Sequence, residues 1–105
     1  MGTNDTKEIA PLAGEAKIAK LIQVREKYSG NSKADQGTRL LEALRLLPVS
    51  TFEARRFLDV MHPAGRVQEL RDAGHAIDTL RITEPSEVGR PHCIAVYVFR
   101  QEAGL

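Results

Sequence analysis

The sequence predicts an α+β fold: an N-terminal helix, a core of three short helices, then a C-terminal β-hairpin. Three observations predict it. Apolar residues recur at helical spacing through 11–28 and again through 34–47. Between positions 50 and 75 the run STFEARRFLDVMHPAGRVQELRDAGH places helix-start and helix-stop residues so as to mark two short helices and a tight turn. After Gly74 the period changes to alternation, and HCIAVYVFR from His92 is almost all β-branched, aromatic or small, as a strand requires.

Composition bounds what such a fold can do. A chain of 105 residues suits one domain plus an arm and buries a core without disulfides. The single cysteine, Cys93, excludes an internal disulfide and fits a reducing compartment. No stretch approaches the roughly 20 apolar residues that cross a bilayer, and the N-terminus lacks the apolar core of a signal peptide. The expected location is cytoplasmic, with no membrane partner. Fifteen Lys and Arg oppose 14 Asp and Glu, a net charge of +1, so nucleic-acid binding would have to come from local clustering.

The elements follow in order. Positions 1–33 are expected to form a flexible tail, an N-terminal helix and a linker, with the domain proper at 34–105. The tail is small and polar to about Lys7. From Pro11, Leu12, Ala16, Ile18, Ala19, Leu21 and Ile22 keep helical spacing, with basic residues gathering near the end. Gly14 weakens its first turn, and Tyr28-Ser-Gly-Asn-Ser-Lys reads as a linker. The second helix, about 34–47, carries Leu40, Leu41, Leu44 and Leu47 as a stripe, with Ser32 or Asp35 as its cap. Pro48 ends it.

Ser50 and Glu53 then form the S-x-x-E capping box of a third helix, about 51–58. Residues 59–62 make the turn. Pro63 occupies the first position of a fourth helix, 63–73, and Gly74 supplies its left-handed cap. Ile77, Thr79, Arg81 and Thr83 alternate with Ala76, Asp78, Leu80 and Ile82 as a first strand. A Gly/Pro-rich loop at 83–91 joins it to the second, which makes a hairpin wing on a helix–turn–helix. Ile94, Val96 and Val98 are expected to face the helices, leaving Ala95, Tyr97 and Phe99 for the N-terminal helix or a second subunit to cover.

The runs at 40–45 and 49–79 resemble the small winged helix–turn–helix family of bacterial and phage-derived proteins. Its pattern joins a Leu-rich helix, a segment matched by Thr51, Glu53 and Ala54, and a turn matched by Met61, His62, Pro63, Ala64 and Arg66. A last element is matched by Glu69, Leu70, Arg71, Gly74, His75 and Ile77. Gly65 departs from it, standing where alanine is expected. The resemblance implies a winged domain and presumed binding to double-stranded DNA.

Residue chemistry fills in that implication. Helical geometry turns Val67 and Leu70 inward and sets His62, Gly65, Glu69 and Asp72 opposite, with Arg66 and Gln68 on the flanks. Arg66 suits a bidentate contact to guanine and Gln68 one to adenine. Gly65 would let the backbone approach the duplex, whereas Glu69 and Asp72 would repel phosphate. Arg55 and Arg56 on the third helix suit phosphate contacts, the alternative being a solvated charge with its stem on the core. Arg90 at the wing could reach an adjacent minor groove, as could Arg81, or simply be solvated. Arg71 falls on the core side and reads as structural, with Glu42, Glu53 or Asp59 as its partner.

His62, His75 and His92 lie apart with no metal-ligand spacing, and neither a phosphate loop nor a catalytic triad is present, so no enzyme, metal or cofactor is expected. His62 reads as a helix N-cap or backbone contact, and Cys93 as a small buried hydrophobe. Three readings stay open. One is a dimeric DNA-binding transcription regulator. Another is an accessory factor of a phage or mobile element, and the third a winged-helix module that binds protein instead of DNA.

Overall fold

Capping chemistry sets the helix boundaries, and one buried arginine sets how the helices meet. The computed structural model describes residues 14–85 and 89–101. The polar tail, the helix start expected at Pro11 and the middle of the wing loop lie outside the described residues. Helix α1 spans Glu15–Lys27, α2 Lys33–Leu46, α3 Thr51–Phe57 and α4 Pro63–Asp72, with strands β1 at Val49–Ser50, β2 at Ala76–Pro85 and β3 at Pro91–Gln101. This is the expected α+β arrangement of a winged helix with an added N-terminal helix.

Both expected caps form, and as full reciprocal boxes. Asp35 N–H donates to Ser32 Oγ while Ser32 N–H donates to the Asp35 carboxylate. Ser50 and Glu53 repeat the exchange at α3. Each box satisfies two backbone donors that would otherwise be orphaned at a helix start. Glu53 Oε1 also takes Lys17 Nζ at 2.8 Å, so the cap of α3 ties down α1. Gly14 is the N-cap of α1, at φ 71°, and Pro63 is the first residue of α4.

The sheet has an order that the sequence did not reveal: β1-β3-β2, all antiparallel. β1 is two residues long, too short to carry a periodic signal, yet it pairs Val49 with Tyr97 and Ser50 with Val96. That pairing anchors the hairpin to the point where α3 begins. The facing of β3 is the reverse of the expectation. Ala95 and Tyr97 lie in the core with Val49, Ile77 and the helices, and Phe99 packs against it. Val96 and Val98 take the other face, opposite Leu80 and Asp78. Hydrophobicity could not decide this, because both faces of β3 are apolar. The register of Ile77 on Phe99 and Val49 on Tyr97 does. Helix α1 places Leu21 and Val24 in the same core, packed on α2 and α3 rather than across the sheet.

Arg39, on α2, is 1% exposed and has no carboxylate partner. Its guanidinium donates to four backbone carbonyls, of Tyr28, Gly30, Leu58 and Asp59, at 2.5–2.9 Å. One turn earlier on the same helix, buried Gln36 donates to Asn31 O and accepts from Met61 N–H, both at 3.2 Å. Two side chains of α2 thereby hold the α1–α2 linker on one side and the α3–α4 turn on the other. The turn needs holding: Asp59 sits at φ 56°, a left-handed conformation disfavoured for a side-chain-bearing residue. Backbone bonds from Leu58 and Val60 N–H to Ala54 O close it.

Arg39→Met keeps the apolar stem but orphans four acceptors. We expect a loss of about 3–5 kcal/mol in urea denaturation, since each buried unsatisfied group costs about 1–3 kcal/mol and water recovers part of that. Arg39→Lys should recover only a minor share, because a compact ammonium cannot span carbonyls on two separate segments.

Candidate nucleic-acid interface

α3, the turn and α4 form the helix–turn–helix, and β2 and β3 extend beyond it as the wing. What this assembly can bind depends on which side chains its packing leaves outside. On α4 the core takes Pro63 and Val67, and Leu70 packs against it. The same inward side includes Arg66, which corrects its expected place on the flank. Its side chain is 8% exposed, and Nε and Nη2 donate to Glu69 at 2.8 and 2.9 Å. Buried against α2 and bidentate to a neighbour on its own helix, the guanidinium does not project toward a groove in this conformation.

The outward side of α4 carries Ala64, Gln68, Glu69 and Asp72, all exposed. Gln68 Nε2 donates to Asp72 Oδ1 at 3.0 Å. A Gln amide has a second N–H and a carbonyl oxygen, so this bond occupies one of its contacts. The expected acidic character of the face is therefore present, and Arg66 is turned inward from it. His62 is the N-cap residue, as expected, but its side chain makes no capping bond and is exposed. Gly65 lies half-buried on α4, and a Cβ added there would meet only His62 Cβ, at 3.9 Å.

The exposed arginines near the helix–turn–helix lie on α3 and along the wing rather than on α4. Arg55 and Arg56 are both exposed at the end of α3. Arg55 Nε donates across the turn to Met61 O at 3.4 Å, and the Arg56 guanidinium lies 5.7 Å from the Phe57 ring centre. Arg81 on β2 and Arg90 before β3 are exposed along the wing. Arg71 is structural, but with other partners than expected: Nε donates to Ile77 O and Nη2 to Thr79 Oγ1, which fastens α4 to β2. Cys93 is exposed, not buried as expected, although alternation puts it on the same sheet face as Ala95 and Tyr97. Among the described residues no group of three or more His, Cys, Asp or Glu could hold a metal ion. No helix among them is long and apolar enough to cross a membrane.

Gly65 serves no evident packing need, since 3.9 Å is an ordinary van der Waals contact and its φ is not positive. Gly65→Ala should therefore stabilise the domain by about 0.5–1 kcal/mol, the usual difference between these residues inside a helix, in thermal denaturation.

The family described as "Winged helix-turn-helix domain" matches residues 35–102, about two thirds of the chain, from the start of α2 to the end of the hairpin. Searches of curated proteins and of solved structures returned no match. The matched segment contains the helix–turn–helix, the sheet and the wing in the order found here, and domains of this kind bind DNA in general. The chain belongs to the winged helix–turn–helix domain family.

Proposed function

We propose that this protein binds double-stranded DNA as a transcription regulator, or as an accessory factor of a phage or mobile element. The observation that carries the reading is that Arg55 and Arg56 on α3 and Arg81 and Arg90 on the wing are all exposed, on a helix–turn–helix whose turn is hydrogen-bonded to Arg39. In this account α4 lies in the major groove, with Gln68 and His62 toward base edges and Gly65 giving close approach. Arg55 and Arg56 contact phosphate, and the wing with Arg90 rests on the adjacent backbone or minor groove. Arg66 is a positioning residue that braces α4 against α2. Homodimerisation would present two such helices to half-sites about 34 Å apart.

A second reading is favoured by one specific observation. The outward face of α4 bears Glu69 and Asp72 and no cation among its exposed residues, as would suit a protein partner with a basic surface.

Fluorescence anisotropy with random and operon-derived duplexes over a salt series separates the two. The first reading predicts affinity that falls steeply with salt, a log–log slope shallower by about 1 in each of Arg55→Ala, Arg56→Ala and Arg90→Ala, and little change in slope for Arg66→Ala. Absence of binding to either duplex at low salt would leave the protein-binding reading.

A further inference from the structure

α2 and α4 border a cleft of about 320 Å³ whose lining includes Lys33, Gly37 and Thr38 on one helix, Arg66 and Glu69 on the other, and His75 beyond α4. Three features of it are not accounted for by folding. Gly37 lies inside α2, where glycine weakens a helix, and its backbone is not in the positive-φ region that would require glycine. It is buried, yet a Cβ built there meets no atom within 4 Å. A buried position that faces empty space, on the lining of a cleft, faces the cleft. No close approach of another element demands the missing side chain; its absence keeps the cleft open.

The second feature is the asymmetry of the Arg66–Glu69 pair. The cation is 8% exposed and its carboxylate 53% exposed, so the fixed partner is the guanidinium and the displaceable one is Glu69. Arg66 gives Nε and Nη2 to Glu69, while a guanidinium carries five N–H donors. The third is the charge of the lining, where Lys33 and Arg66 face a single carboxylate. Leu41 and Leu70 supply an apolar wall.

We propose that this cleft binds a small organic anion, a carboxylate or phosphate monoester on a compact apolar body. The anionic head lies on Arg66 and Lys33, displacing or joining Glu69, in charge-assisted hydrogen bonds. The body occupies the space beside Gly37, against Leu41 and Leu70. The volume is at the lower end of small-molecule sites, about 300–1,000 Å³. Since Glu69 also belongs to the outward face of α4, occupancy alters the charge which that face presents. The site stands on its own geometry and does not require that the protein bind DNA.

The test is an amide chemical-shift titration of the full chain with phenyl phosphate, benzoate, benzyl alcohol and inorganic phosphate. Both aromatic anions should give saturable shifts at Lys33, Gly37, Thr38, Arg66 and Glu69. Benzyl alcohol, without the charge, and inorganic phosphate, without the body, should bind about tenfold or more weakly. Lys33→Gln should weaken phenyl phosphate about tenfold, and Gly37→Leu should abolish its binding while the spectrum stays folded and the melting temperature does not fall. The proposal is overturned by an absence of saturable shifts, by equal response to benzyl alcohol, or by shifts centred on Arg55 and Arg56. Unchanged binding in Gly37→Leu overturns it too, as does loss of the fold in that variant, since the space beside Gly37 would then be needed for packing.

Discussion

Everything the helix–turn–helix presents to the outside depends on Arg39. A guanidinium at 1% exposure with no counter-ion is unusual, since burying a charge is expensive unless hydrogen bonds replace its hydration. Four carbonyl oxygens do that here, and they come from two chain segments that no helix would otherwise join. The exchange works in both directions. The carbonyls at the end of α3 and in the α1–α2 linker lack helical partners, and Arg39 supplies them. Gln36 adds the Met61 amide, so the turn from Leu58 to Met61 is fixed by α2 at three backbone positions. The strained φ of Asp59 persists because its surroundings determine it from several sides.

A turn fixed in this way sets the angle between α3 and α4, and that angle decides which residues are left to act. Packing α4 through Pro63, Val67 and Leu70 brings Arg66 inward as well, where Glu69 neutralises it. The helix then shows solvent an uncharged amide and two carboxylates, and the cations stand at its margins, on α3 and along the wing. Attraction to a phosphate backbone would come from the frame around the helix, and discrimination between bases from very few side chains. Such a surface favours strong dependence on salt and modest dependence on sequence.

Much of the frame was legible in the sequence because its signals are local. Ser32, Ser50, Pro63 and Gly74 each act within one helical turn of themselves, and all four stand where capping chemistry puts them. The parts that were not legible depend on residues distant in the chain. Arg39 is separated from Leu58 and Asp59 by 19 and 20 positions and reads in the sequence as one more polar residue just before the leucine stripe. β1 is too short to show a period, and it is the strand that fixes the facing of β3. The inward turn of Arg66 is hidden in the sequence for a related reason. A helical wheel gives angles but not the rotamer a side chain takes, and Arg66 folds back onto Glu69 of its own helix on the side that faces α2. Arg71 was recognised as structural from its angle alone, but its partners on β2 come from the tertiary fold.

The proposal of DNA binding rests on a turn held by Arg39 that displays α4 together with the exposed arginines of α3 and the wing. The most direct measurement is an amide and arginine Nε–Hε chemical-shift map of the protein titrated with duplex DNA. The account predicts perturbations at Arg55, Arg56, His62, Gly65, Gln68 and Arg90, with the Arg39 and Arg66 Nε–Hε signals unmoved. Perturbations confined to the outer sheet face around Leu80 and Val96, with α4 silent, would contradict it.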